Sequence, residues 1–275
     1  MRRRYQWLIG LLVLFGVPYY WLLIDNRPGT APVKTIDVAE LRRLAEAIPG
    51  PKPESVHVEL AGWRRLPGTL LVAGGGLKRN LVGIEAFLLR GPWGDIAIDS
   101  GLGPKEARTM RLERYDPAAQ ALLPPEQGPG GPLAGKLPWP AGSRDLIKPF
   151  RDGRIVAVAP GVVVLKTPGH TPGSRMIYAR LRDGREYLFA GDTATMARNW
   201  MQLRARSRLV STWVAPEDRA AVFGWLKGLR ALHRAAPEVF IVPGHDYDHL
   251  VRNSARYRIA PGFEAPPSPP DPAAK

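Results

Sequence analysis

The 275-residue chain is 45% hydrophobic and carries a formal charge of +14 at pH 7, so it is long enough for a full core and too apolar for wholesale disorder. It contains no cysteine, which excludes disulfides and thiolate ligands and leaves only His, Asp or Glu to hold a metal. The basic residues are spread thinly, without a Lys/Arg block or interleaved aromatics, so they read as a solvated Arg-rich surface and no nucleic-acid partner is expected.

Arg2, Arg3 and Arg4 precede twenty residues, Tyr5 to Ile24, without a charge. At about 1.5 Å per residue such a helix matches the ~30 Å hydrocarbon core of a bilayer. Pro18 is tolerated in a membrane span, and Trp7, Tyr19, Tyr20 and Trp21 lie near its ends, where aromatic rings favour the headgroups. The run closes on bulky Trp21-Leu22-Leu23-Ile24, where a signal peptidase needs small side chains, so an uncleaved anchor is preferred over a cleaved signal peptide. Arginines before the span predict a cytoplasmic N-terminus and a periplasmic body, a single-pass inner-membrane protein. The expected organisation is an anchor over 1–25, a linker and helix over 26–53, a domain over 54–258 and a disordered proline-rich tail over 259–275.

Within the body, Asp37 is a plausible N-cap for a helix with apolar positions at Val38, Leu41, Leu44, Ala45 and Ile48. Val56, Val58 and Leu60 alternate as in a strand, and 69–73 is a short β-like run before a glycine triplet. Two β-like runs flank Gly91-Pro92-Trp93-Gly94 and two flank Asp183-Gly184, each read as a hairpin, and two more runs are strand-like around Pro160-Gly161. Pro216 opens a helix reaching about Ala235 with Val222, Trp225, Leu226, Leu229 and Leu232 on one face, and a strand over 239–242 follows. Strands first, then strands with helices, suit an α/β sandwich.

Four strand-like runs end on a polar residue beside Gly or Ser: IDSG at Asp99, TPGHTPGS at His170, LFAGD at Asp192 and VPGHD at His245. Strand ends are where a rigid sheet hands over to loops and where sites are built. A lone PGH or GD is most often a plain turn or cap, but three of them directly after strands are able to bring two imidazoles and a carboxylate to one metal of the kind zinc represents. His57, in an alternating strand, and His233, on a helix, have no such context. His249 lies near His245 in sequence only.

The strings TPGHTPGS, LFAGD and VPGHD, with IDSG before them, resemble the metal-binding motifs of the metallo-β-lactamase superfamily over roughly residues 55–250. The resemblance implies a four-layer αββα sandwich with its site at one edge. It implies that His170 ligates a first metal, Asp192 bridges two metals and His245 ligates the second, with Asp99 supporting the site from behind the ligands. The anchor, the following helix and IPGPKP over 48–53 look like membrane-tethered metallo-hydrolases of that family.

The family's HxHxDH motif belongs between Asp99 and His170, yet 102–169 contains no histidine. The strand that delivers the motif is missing too, so one strand-helix unit is expected to be absent and 102–146 to be poorly ordered. With so few donors at most one zinc is expected, a dinuclear site is not, and no catalytic residue is assigned. The reading is a metal-dependent hydrolase by descent, acting on an ester, lactone, thioester or amide of an unknown small molecule, with activity reduced or lost. The alternative is a non-catalytic periplasmic binding or scaffold protein.

Overall fold

A computed structural model describes residues 2–27, 31–92, 94–123 and 154–263. Residues 2–24 form one helical run, α-helical over Arg2–Leu11 and wider over Leu12–Gly16 and Tyr20–Ile24. Its Tyr5–Ile24 stretch has a mean hydropathy of 2.0 and is nowhere buried by the rest of the chain, so it is long and apolar enough to cross a membrane.

Among the described residues, two five-stranded sheets make up the body. The first runs β10-β1-β2-β3, with β1 at Ser55–Pro67, β2 at Arg79–Gly91, β3 at Gly94–Ile98 and β10 at Ile259–Pro261; the two-residue β4, Arg114–Tyr115, pairs with β1. The second runs β5-β6-β7-β8-β9 through Ile155–Ala159, Val162–Lys166, Arg175–Arg180, Glu186–Phe189 and Val239–Val242. All pairs are antiparallel except β1 with β10 and β8 with β9. The two expected hairpins turn where the sequence places them, and the strand-like runs around Pro160-Gly161 pair as a third. The β-like run expected at 69–73 instead begins as a helical turn, Gly68–Leu71, because the chain doubles back there with Gly68 against the Gly75 carbonyl.

Alternation along the strands sorts side chains between layers. Val56, Val58, Phe87 and Leu89 meet Tyr187, Phe189, Phe240 and Val242 between the two sheets. Behind the second sheet, Met176, Tyr178, Leu188 and Ile241 pack on helices Val38–Ala45 and Arg219–Ala235. The first sheet's outer face is covered by Leu102, Leu112 and Leu123, packed with Ala61, Ile84 and Phe263. These come from the segment expected to be poorly ordered, and for 102–123 that expectation is corrected. Pro104–Thr109 and Pro117–Ala121 are one-turn helices, the latter capped by Asp116, and the apolar residues around them cover the sheet. Residues 124–146 lie outside the described residues. The sheet also extends past the expected boundary at 258, since β10 pairs with Val56–Val58; residues 264–275 are not described.

Helix Val38–Ala45 is held by more than its apolar face. Asp37 caps it as expected, accepting from Ala39 and Glu40 N–H groups, and Arg42 grips the buried Glu186 carboxylate with two hydrogen bonds of 2.8 and 2.5 Å. Burial raises the Glu186 carboxyl, but Arg42 and the Tyr178 hydroxyl outweigh it and hold it below the ordinary glutamate range. The stabilisation is therefore complete above that range and is lost as falling pH protonates Glu186. Arg42→Met leaves Glu186 with Tyr178 and a distant Arg180 at 3.9 Å. Urea unfolding at neutral pH is expected to show a loss of about 1–3 kcal/mol, and the difference from wild type is expected to shrink in acid.

Candidate functional site

Three loops at one end of the second sheet carry the residues singled out by the motifs. After β6 the chain turns tightly over 167–174, closed by Thr167 N–H to the Ser174 carbonyl at 2.9 Å and by Thr171 N–H to Ser174 Oγ at 2.9 Å. That turn holds His170. The single 3-10 turn Gly191–Ala194 follows β8 and carries Asp192. After β9, His245 and Gly244 donate their N–H groups to the Thr195 and Ala194 carbonyls, each at 3.0 Å, locking the second PGH against the Asp192 turn.

The three side chains meet around Asp192. His170 Nε2 lies 3.3 Å from Oδ2 and His245 Nε2 lies 3.3 Å from Oδ1. Burial works against charge on both rings, but Asp192 overcomes it: His245 is raised well above the usual histidine value, helped by Glu85, and His170 is raised with help from Glu217. Burial alone would raise the Asp192 carboxyl; the two imidazoles and Arg206 hold it well below the carboxylate range instead. Asp99 does not bond to any of the three. It sits in a left-handed backbone conformation, φ 64°, and lines the same cleft. The cleft holds about 590 Å³ between Phe87, Ile98, Ile177, Phe189 and Val242 on its apolar side and Asp99, His170, Thr171, Ser174 and Asp192 on its polar side.

Other motif residues serve the scaffold. Asp246 is buried, caps helix Tyr247–Tyr257 through His249 N–H and accepts from Ala197 N–H. The His249 ring stacks on Phe240, 5.8 Å between centroids, away from the site. His57 is paired with Ser55 and the Gly262 carbonyl.

Three charged residues at the site carried no motif. Arg206 is nearly buried and reaches in from a loop, placing Nη2 2.8 Å from His170 Nδ1, 2.6 Å from the Asp192 carbonyl and 3.2 Å from the Glu217 carboxylate. Glu217, with a side chain wholly shielded from solvent, stands 3.3 Å from His170 Nδ1. Glu85 lies 3.8 Å from His245 Nδ1, and burial raises its carboxyl. The one readable signal was Glu85, a lone carboxylate opening the apolar run EAFLL. Arg206 is one of several arginines in its stretch and nothing in the sequence marks it.

No family model and no curated protein matches the sequence. Among solved structures, a quorum-quenching N-acyl homoserine lactone lactonase matches with a TM-score of 0.51 and 14% identity, covering 76% of this chain and 97% of that one. The chain has the metallo-β-lactamase fold. A quorum-quenching N-acyl homoserine lactone hydrolase matches at TM-score 0.49 and 16% identity over 72% of this chain and 94% of its own. A probable metal-dependent hydrolase from Staphylococcus aureus matches at 0.47 and 12%, over 71% and 91%.

The metallo-β-lactamase fold raises the question of zinc, and the donor set answers it. Two donors at about 2.0–2.2 Å from one tetrahedral ion stand roughly 3.3 Å apart, so each imidazole–carboxylate pair has a plausible spacing. The pairs use different oxygens of Asp192, however, and an ion at either edge meets one imidazole and one oxygen. Among the described residues no group of three or more His, Cys, Asp or Glu is arranged to hold a single ion, whereas a catalytic zinc takes three protein ligands.

The ring protons separate the two histidines further. His245 Nδ1 lies 2.8 Å from the Gly83 carbonyl, which accepts only, so Nδ1 carries a proton, and Nε2 offers a lone pair to the cleft only when the ring gives up the second proton that Asp192 and Glu85 favour. His170 Nδ1 faces two partners of opposite kind, the Arg206 guanidinium at 2.8 Å, which only donates, and the Glu217 carboxylate at 3.3 Å, which only accepts. When the neutral ring takes the shorter contact and accepts from Arg206, its proton is on Nε2, facing Asp192. A ligating histidine needs the reverse, with its outer nitrogen donating to a carboxylate or carbonyl. In this arrangement the residues do not fit a catalytic zinc.

Proposed function

We propose that the protein is a membrane-tethered, small-molecule-binding member of the metallo-β-lactamase fold in which metal-dependent hydrolysis is reduced or lost. The observation that carries this reading is Arg206: a guanidinium stands among His170, Asp192 and Glu217 and supplies the positive charge that those groups would otherwise share with a metal. The cleft supports the binding role. Its size is that of ordinary ligand pockets, and its apolar wall ends in a polar, charged edge. The ligand class is a small molecule with an apolar portion and a carbonyl-type polar end (an ester, lactone, thioester or amide), the substrates to which hydrolases of this fold are suited. His170, Asp192 and His245 are the candidate donors among the described residues, and they hold at most one ion, weakly, once Arg206 withdraws. The apolar run Tyr5–Ile24 is the proposed single-pass inner-membrane anchor, with its N-terminus cytoplasmic and the body periplasmic.

Metal analysis of the purified full-length protein tests this directly. After zinc loading and desalting, at most one zinc per chain is expected to remain. His170→Ala or His245→Ala is expected to abolish what is retained, and His233→Ala to leave it unchanged. Hydrolysis of lactone and ester substrates is expected to stay near background with or without zinc. Two tightly held ions per chain, or zinc-stimulated turnover, overturns the reading.

A further inference from the structure

Beyond the cleft, the end of the anchor is built into the body. The Leu23 carbonyl accepts from Thr69 Oγ1 and from Gly74 N–H, both at 2.8 Å. Asp25 is buried and paired with Arg208 at 2.9 Å. The Asn26 side chain donates to the Leu203 carbonyl and accepts from Ala205 N–H. The first residues of the expected linker are therefore fixed to the body, which has no free tether at this point. If Tyr5–Ile24 spans a bilayer, the surface around residues 21–26 is held at the level where the span ends.

That surface is apolar where it need not be. Among the described residues beyond the anchor, the three most exposed large apolar side chains are Leu77, Val214 and Trp213, at 73%, 72% and 58%. All three belong to segments that touch the anchor's end. The Trp213 ring meets Trp21 edge-on with centroids 6.5 Å apart, Val214 is the next residue, and Leu77 lies three residues along the loop from Gly74. The Arg208 guanidinium lies 5.5 Å over the Trp21 ring, and Arg27 and Lys78 are exposed beside this face. Tryptophans beside the end of the span, exposed apolar side chains in the adjoining segments and cations among them form the pattern of a surface seated in a membrane interface.

We infer that Trp213 and Val214, at the end of the helical turn Val210–Val214, and Leu77 insert into the same bilayer the anchor crosses, so that the body sits on the membrane. The occupant of this face is lipid, because the face is continuous with the anchor itself and its three cations, Lys78 with Arg27 and Arg208 that share the single carboxylate of Asp25, leave positive charge that matches anionic headgroups. The seating loop also feeds the cleft. Residues 206–217 carry Arg206 into the site, Trp213 and Val214 outward, and Glu217 back, while Arg219 bonds the Arg206 carbonyl and reaches the Asp25 carbonyl at 3.4 Å. This inference rests on the anchor reading above and is independent of metal or catalysis.

The absence of native cysteine allows single spin labels in the full chain at Val214→Cys, Leu12→Cys and Asp183→Cys. Asp183 stands in the turn at the opposite end of β8 from Asp192. The labelled proteins, one chain per nanodisc of mixed zwitterionic and anionic lipid, are compared for collision with oxygen and with a water-soluble nickel chelate. The Val214 label is expected to lose most of its nickel collisions relative to the Asp183 label and to gain oxygen collisions, as the Leu12 label does. A Val214 label as open to nickel as Asp183, with Leu12 protected, overturns the seating and leaves the anchor intact. A Leu12 label open to nickel overturns the anchor and the seating with it. Protection of Val214 that appears only when two chains share a disc assigns the face to a second copy and overturns the lipid assignment.

Discussion

Arg206→Met is expected to destabilise the protein by about 3–5 kcal/mol in the absence of metal and, unlike wild type, to make its melting temperature rise with added zinc. The first effect follows from burial. Glu217 has a fully shielded side chain that Arg206 meets at 3.2 Å, and removing that member of a buried pair leaves the carboxylate to the longer contact with His170 Nδ1 at 3.3 Å. The second effect follows from the proton on His170. Without the guanidinium at Nδ1, that nitrogen is free to donate to Glu217, and the ring turns its Nε2 lone pair toward Asp192. His170 then matches His245, and an ion binding the native state stabilises it in proportion to the logarithm of its concentration over the dissociation constant. Differential scanning fluorimetry with zinc titrated into chelator-treated protein reads both effects together. Arg206→Lys separates charge from shape: it keeps a positive charge but not the planar fork that spans the three acceptors, so it is expected to fall between wild type and Arg206→Met. A variant with wild-type stability and no zinc response would show that Arg206 neither holds the site together nor governs the histidine.

The elements most legible in the sequence are those where local chemistry and global packing agree. Asp183-Gly184 and Pro160-Gly161 turn hairpins because the turn residues and the flanking apolar runs ask for the same structure. Asp37 caps its helix for the same reason. The convergence of His170, Asp192 and His245 was readable because each ends a strand of one sheet, and β8 and β9 are parallel neighbours that deliver their following loops to the same end. The electrostatics of the site were not readable. Arg206 and Glu217 come from a connection after the last motif strand but one, and only the folded loop, tied by Arg219, brings them behind His170. The segment after Asp99 misled for a different reason. The loss of the histidine motif predicts loss of the structure around it, whereas Leu102, Leu112 and Leu123 are retained as cover for the first sheet. Chemistry and packing were lost and kept independently there.

The two PGH triplets and the TPGS turn contribute glycines that look equivalent in the sequence, and the structure separates them by what a side chain would meet. A Cβ at Gly244 would stand 2.7 Å from the Gly191 carbonyl oxygen and 3.2 Å from Asp192 N, so the loop after β9 must be bare for it to lie against the loop after β8. The clash involves backbone and cannot be relieved by turning a side chain. Gly173 has nothing nearer than 3.9 Å, the Thr171 hydroxyl. Gly244→Ala is expected to push the two loops apart, costing about 1–3 kcal/mol as overpacking does, and to part His245 from Asp192 because both ride on the displaced backbone. Gly173→Ala is expected to stay within about 0.5 kcal/mol of wild type. Thermal melts give the stability difference. The imidazole signals of His170 and His245 give the local one, since loss of the Asp192 contact shifts them whereas a general loosening would also move His57 and His233. A Gly244→Ala protein with wild-type melting and unchanged His245 signals would mean that the close approach of the two loops is not what brings Asp192 between the histidines.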